Sequence, residues 1–254
     1  MKNKFVNTSN VSAFYKALTH MENRGAEECT FVVVDGEPGL GKTTMLQHWV
    51  AQTGSIYLRA KTEWSPNWML SEILTSMGRE TPYGYQKRFE AVVQELSQRQ
   101  YQQFNGTGVF GIVIDEADHI SRNYKLMETL RDLSDLLQLP IVLVGMGKIR
   151  NNLTRFKQIS SRVSKYVAFN PATEKDVRAL FDGLCEVEVD DNIIQFVTRI
   201  SKGYTREIKE AIAHVELFGK RNEGDIVRLK DMAGEVILND RKTSNEIIVP
   251  EGVA

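Results

Sequence analysis

Eight consecutive residues, Gly36-Glu37-Pro38-Gly39-Leu40-Gly41-Lys42-Thr43, fit the pattern G-x-x-x-x-G-K-[ST] between a short apolar run and a helix-forming run. Glycines let such a segment curl until its backbone N–H groups, and those opening the next helix, face an anion. Lys42 then supplies a point charge to the β- and γ-phosphates, and the hydroxyl of Thr43, followed by Thr44, is offered to Mg²⁺. A second chemical signal is Phe110-Gly111-Ile112-Val113-Ile114-Asp115-Glu116, an apolar strand that ends in adjacent carboxylates. Alternation along a strand points neighbouring side chains in different directions, so Asp115 can hold Mg²⁺ through its hydration shell while Glu116 polarises an attacking water. Together the two segments predict that ATP is hydrolysed and not only bound.

A third signal is one-sided charge. Residues 136–173 contain no acidic side chain, yet Lys148, Arg150, Arg155, Lys157, Arg162 and Lys165 fall there, which suggests a surface that meets phosphate. A fourth is Gly203-Tyr204-Thr205-Arg206-Glu207-Ile208, where Arg206 stands near the start of a helix-forming run.

These residues need a scaffold to bring them together. Apolar runs at residues 30–34, 56–58, 109–114 and 141–144 read as buried strands. Periodic segments at residues 11–21, 43–52, 65–77, 85–100 and 123–137 read as helices, the first capped by Ser9 or Asn10 and the third opened by Ser65 and Pro66. Residues 102–108 are a polar connection. The alternation describes an α/β fold with a parallel sheet covered by helices on both faces. From Asn170-Pro171 onward the pattern is helical to about residue 236, with Thr173 and Glu174 capping the first helix and Gly183, Gly203 and Gly224 separating the others. The expected organisation is therefore an ATPase domain at 1–170, a helical lid domain at 171–238 and a flexible tail at 239–254.

Composition narrows the class. With 42% hydrophobic and 26% charged residues, a chain of 254 residues can bury one or two compact cores. The formal net charge of −1 requires any grip on nucleic acid to come from a local basic patch. No apolar run approaches the ~20 residues of a membrane span and the N-terminal segment lacks an apolar signal core, so no membrane partner and a cytoplasmic location are expected. The two cysteines, Cys29 and Cys185, lack partners at metal-ligand spacing and read as small hydrophobic residues kept as thiols.

With the four elements in this order, the chain resembles the AAA+ P-loop NTPases, in which a parallel sheet sandwiched by helices carries a small C-terminal all-helical lid. More narrowly it is similar to the transposition ATPases of the phage Mu B family over roughly residues 5–231. That similarity is carried by Val6-Asn7-Thr8, Ile114-Asp115-Glu116-Ala117-Asp118-His119, and Arg155 through Arg162. The resemblance implies that Arg162, in Ser160-Ser161-Arg162, is an arginine finger reaching the γ-phosphate of a neighbouring subunit, with Arg155 in reserve. It implies that Arg206 is the sensor 2 arginine of the lid. A finger of this kind is worth about 10³- to 10⁵-fold in rate and makes hydrolysis depend on assembly. The family polymerises with ATP on double-stranded DNA with little sequence preference, which implies a homo-oligomer (helical filament or ring), a transposase partner and the cytoplasm of a bacterial host.

Two departures bear on this expectation. The family member has an extra N-terminal helix-turn-helix domain, whereas here the ATPase begins almost at Met1, so DNA binding rests on the ATPase domain. At sensor 1 the chain has Gly145-Met146-Gly147, and a methionine side chain cannot donate a hydrogen bond, which points to slow hydrolysis or a different polar group. Candidate DNA contacts are Arg59, Lys61, Lys87 and Arg88, among the acids Glu63, Glu80 and Glu90. Trp68 reads as core, while Trp64 packs on a neighbour or on sugar-phosphate. Two other readings stay open: a replication-type AAA+ helicase loader, and an ATP-gated protein scaffold.

Overall fold

The computed structural model describes residues 1–103, 109–222, 226–240 and 243–252; Gly224 and residues 104–108 of the expected polar connection lie outside them. The chain divides into two compact units. The larger comprises Ala13–Glu37 and Lys42–Phe169, and the smaller Met1–Ser12, Pro38–Gly41 and Asn170–Ala254.

The first helix, α1 (Ser9–Glu22), begins in the smaller unit and continues into the larger. The larger unit then runs β1 (Phe31–Asp35), α2 (Lys42–Thr53), β2 (Ile56–Arg59), α3 (Pro66–Ser76), α4 (Tyr85–Gln103), β3 (Ile112–Asp115), α5 (Tyr124–Leu137), β4 (Ile141–Gly145), α6 (Ile149–Leu153), α7 (Lys157–Ser160) and β5 (Val163–Ala168). The five strands form one sheet in the order β2-β3-β4-β1-β5, and every pairing is parallel. β3 and β4 are buried at every residue, as strands covered on both faces must be. β2 and β5 alternate in exposure and occupy the edges. Phe31 and Val33 join a core shared with Leu70 and Ile73 of α3, Leu96 of α4 and Leu130 of α5. Val32 and Val34 point the other way and are equally buried, and behind α1 and α2 the rings of Phe14 and Trp49 meet edge to face at 5.6 Å.

Local chemistry fixes the helix starts. Ser65 accepts a hydrogen bond from Trp68 N and Pro66 occupies the first turn of α3, while Asn123 caps α5 through Leu126 N. β5 was not among the expected strands. Its sequence VSKYVA buries Val167 and exposes Lys165, so it carries no continuous apolar run.

The smaller unit holds α8 (Glu174–Leu184), β6 (Glu188–Val189), α9 (Asp191–Ser201), α10 (Thr205–Arg221), β7 (Ile226–Val227), β8 (Val236–Asn239) and β9 (Glu246–Ile248). Asp176 lies at its entrance: buried at 6% exposure, its carboxylate accepts from Ser9 N (2.6 Å), Ser9 Oγ (2.7 Å), Thr173 N (2.9 Å) and Thr173 Oγ1 (2.8 Å). One side chain thus serves the starts of α1 and α8. Val177, Phe181, Ile193, Val197, Ile212 and Val215 form the core.

Two expectations need correction here. The expected lid at residues 171–238 is not all-helical, because β6 pairs with β7 and β8 pairs with β9. Nor are the described residues of the expected tail at 239–254 loose: β9 returns antiparallel to β8, and Val249 is buried. Two apolar triplets, Val236-Ile237-Leu238 and Ile247-Ile248-Val249, flank the turn in which Asp240 N donates to Asn245 O (2.8 Å). The polar residues around them hide that pattern in the sequence. Among the described residues no helix is long and apolar enough to cross a membrane.

Candidate nucleotide-binding site

β1 and β3 end on the same edge of the sheet, where open parallel sheets place their ligands. β1 delivers Asp35, whose Oδ1 accepts from Gly36 N at 2.9 Å. Lys42 opens α2, is buried to 8% exposure, and donates from Nζ to the carbonyls of Gly36 (2.5 Å) and Glu37 (2.8 Å). Burial pushes its pKa below that of an ordinary lysine, against the pull of Asp115, Asp35, Asp118 and Glu37. Thr43 and Thr44 are exposed in the first turn of α2, which contains no acidic residue, so its N–H groups and dipole favour an anion.

The middle of the glycine segment belongs to the smaller unit. Gly39 and Gly41 have φ of +91° and +87°, a region open to glycine at little cost. Gly39 O accepts from Arg206 N at 3.1 Å, and a Cβ on Gly41 would lie 3.4 Å from Thr205 Oγ1. Leu40 is buried and Pro38 exposed. Arg206 is the second residue of α10 and its side chain is exposed.

At the end of β3, Asp115 is 7% exposed and fully engaged. Its Oδ2 accepts from Thr43 Oγ1 (3.0 Å) and Tyr57 Oη (2.7 Å), and its Oδ1 from Glu116 N (2.9 Å). Burial, then the bond to Asp115, drives the Tyr57 phenol far above its usual pKa. Glu116 has φ +55°, an uncommon backbone for a residue with a side chain, and its carboxylate takes different partners from that of Asp115. Its two oxygens take a fork from Arg59, Nε at 2.8 Å and the terminal nitrogen at 2.5 Å, and His119 Nε2 lies at 3.8 Å. The Arg59 guanidinium holds Glu116 below the usual carboxylate range. The donor set suits Mg²⁺: a hydroxyl and a carboxylate share one oxygen contact, both hard ligands. Among the described residues no group of three or more His, Cys, Asp or Glu could hold a metal ion by itself.

The loop after β4 is held by carboxylates. Met146 N donates to Asp118 Oδ2 and Gly147 N to Asp35 Oδ1, while the Met146 side chain is 43% exposed. Gly145 sits so close that a Cβ would lie 2.7 Å from Asp118 Oδ2.

The basic candidates fare differently. Arg162 is half-buried and fixed by Asp135 of α5, Nε to Oδ1 and the terminal nitrogen to Oδ2, both at 3.1 Å. Arg155 is exposed, as are Lys148, Arg150, Lys157 and Lys165. Of the four proposed DNA contacts, Arg59 is paired with Glu116, Lys61 with Glu72 (2.5 Å), and Arg88 donates to Pro82 O (2.7 Å); Lys87 is exposed. The two tryptophans exchange their expected places. Trp64 is buried at 3% exposure, whereas Trp68 is 41% exposed beneath the Lys61 ammonium, 5.1 Å from its centroid. Sequence reasoning missed Tyr57, Asp35 and the Glu116 partner of Arg59. The strand period held a signal, since Tyr57 and Arg59 share the unburied face of β2.

The parallel sheet, its 2-3-4-1-5 order and the glycine segment between β1 and α2 define a P-loop NTPase of the α/β class with AAA+ architecture. A family model described as AAA domain matches residues 24–153, just over half of the chain, and the chain belongs to that family. No curated protein matches it in sequence. Its fold is similar to that of the ORC1 protein of Aeropyrum pernix in complex with DNA (18% identity, 88% of this chain, 63% of that one, TM-score 0.54). It is also similar to CDC6P from Pyrobaculum aerophilum (16%, 91% and 68%, TM-score 0.60) and to a RuvB mutant from Thermotoga maritima (19%, 89% and 68%, TM-score 0.53). The chain spans less than two thirds of the ORC1 chain, and at these identities the likeness is one of fold.

Proposed function

We propose that this chain is a Mg²⁺-dependent ATPase that assembles with ATP on duplex DNA and regulates transposition. The observation that carries the ATPase part is the convergence of Lys42, Thr43 and Asp115 where β1 and β3 end, with Glu116 next to Asp115 in the chain. Gly36 through Thr44 cradle the phosphates, with Lys42 exchanging the carbonyls of Gly36 and Glu37 for phosphate oxygens. Thr43 and Asp115 hold Mg²⁺, which supplies charge neutralisation at those oxygens. Glu116 accepts the proton of the attacking water, and Arg162 of a neighbouring copy and Arg206 meet the phosphates.

Assembly on DNA draws support from the ORC1 structure in complex with DNA, to which the fold is similar, and the transposition role rests on the sequence resemblance to the Mu B family over residues 5–231. Few phosphate contacts per copy would make binding by one copy weak, and assembly would multiply them into a steep salt dependence. The test is sedimentation and electron microscopy on duplex DNA with ATP, with ADP and with Lys42→Ala, across a salt series. Assemblies that need ATP and vanish with ADP or Lys42→Ala are expected. Discrete rings or monomers with no duplex affinity would instead point to a helicase loader or a protein scaffold.

A further inference from the structure

β2 is an edge strand that buries Ile56 and Leu58 and leaves Tyr57 and Arg59 on its open face. Its register with β3 sets Tyr57 against Val113 and Arg59 against Asp115. Tyr57 therefore lies diagonal to Asp115 on one face, a separation of about 7–8 Å that a long aromatic side chain bridges. It does so: the hydroxyl donates to Asp115 Oδ2 at 2.7 Å, closer than the Thr43 hydroxyl at 3.0 Å on the same oxygen. The backbone N–H of Glu116 takes the other oxygen at 2.9 Å. The carboxylate is thus fixed by one donor from its own chain segment and one from the neighbouring strand, neither of which is itself a metal ligand. Thr43 differs, because its hydroxyl oxygen would itself be a ligand to the ion.

We propose that Tyr57 is a positioning residue for Mg²⁺, its hydroxyl orienting the Asp115 carboxylate toward the hydrated ion that Thr43 also meets. The proposal rests on the nucleotide-site reading above. Partners that orient a metal-ligating side chain typically matter 10- to 100-fold in metal affinity. Tyr57→Phe deletes one oxygen and keeps the ring, so the edge strand retains its packing.

The test measures two affinities on the whole chain. A fluorescent ATP analogue is titrated in EDTA, and Mn²⁺ is titrated into the nucleotide complex by electron paramagnetic resonance, with Asp115→Asn as the impaired reference and thermal melting as the fold control. For Tyr57→Phe the half-saturating Mn²⁺ is expected to rise about tenfold or more, with the affinity in EDTA within twofold of wild type. A Mn²⁺ midpoint that stays within twofold or falls overturns the proposal. So does a parallel loss in EDTA, which would mean that Tyr57 supports the whole pocket. Failure of the wild-type chain to bind nucleotide in either condition would refute the nucleotide-site reading itself.

Discussion

The Asp135–Arg162 pair makes a quantitative prediction about assembly. As the finger proposed above, Arg162 would have to leave Asp135 before its guanidinium could reach a phosphate in a neighbouring copy, and both contacts it would give up are 3.1 Å long. The side chains are 27% and 33% exposed, so solvent screens the pair, and such pairs are worth about 0.2–1 kcal/mol. Asp135 also lies 3.8 Å from Arg131, which retains Glu128 and Asp132 when Asp135 is changed. Asp135→Asn keeps the shape and removes the charge. The cost of releasing the finger then falls by that amount, a factor of about 1.4 to 5. ATPase rate against protein concentration should show the half-maximal concentration fall by that factor, with the plateau rate unchanged. Arg162→Ala should lower the plateau by about 10³-fold or more. An unchanged half-maximal concentration in Asp135→Asn would refute the latch. A plateau unaffected by Arg162→Ala would refute the finger assignment and move it to exposed Arg155.

Other perturbations read out neighbouring parts of the chain. Arg59→Ala releases Glu116, whose pKa should rise toward the ordinary glutamate value, so the acid limb of the rate–pH profile should move to higher pH; an unmoved limb would separate Glu116 from proton transfer. Asp176→Asn removes the shared acceptor of Ser9 and Thr173 and should destabilise the fold by about 1–3 kcal/mol in urea at pH 7. Burial raises the Asp176 pKa, but the bonds from Ser9 and Thr173 outweigh it and the folded value is depressed. Its stabilisation is therefore complete above the ordinary aspartate pKa and fades as pH falls through the lower folded value, so wild type and Asp176→Asn should converge in acid. Gly145→Ala places a Cβ 2.7 Å from both Asp118 Oδ2 and Ile149 Cγ2 and should cost about 1–3 kcal/mol by thermal melting; a neutral result would mean that the loop after β4 yields freely.

What the sequence disclosed follows from how each signal is written. Strands buried on both faces are continuous apolar runs, and β1, β3 and β4 are legible for that reason. Edge strands are not: β5 mixes Lys165 and Ser164 with Val163 and Val167, and its charge invited a reading as phosphate-facing surface alone. The hairpin of β8 and β9 was hidden because strands of four and three residues are too short for a period to emerge from polar surroundings. The phosphate segment was legible because its backbone demands glycine at Gly39 and Gly41, a constraint carried by residue type. Partners are a different matter. That Arg59 meets Glu116 and Arg162 meets Asp135 depends on strand order and helix placement, 57 and 27 residues apart, and no local pattern encodes it.

A methionine at the end of β4 offers no side-chain donor, and the N–H groups of Met146 and Gly147 are already taken by Asp118 and Asp35. The loop after β4 thus supplies a fixed contour to the site and little hydrogen-bonding capacity. In the proposed mechanism, stabilisation of charge that develops during hydrolysis would then come mainly from Lys42, an ion held by Thr43 and Asp115, and arginines delivered to the phosphates. With Arg162 tied to Asp135 in a single copy, the arginine term is weak until a neighbour competes for it. On the function proposed above, the missing donor and the pairing of Arg162 act in one direction: both would slow hydrolysis by one copy and leave assembly to accelerate it.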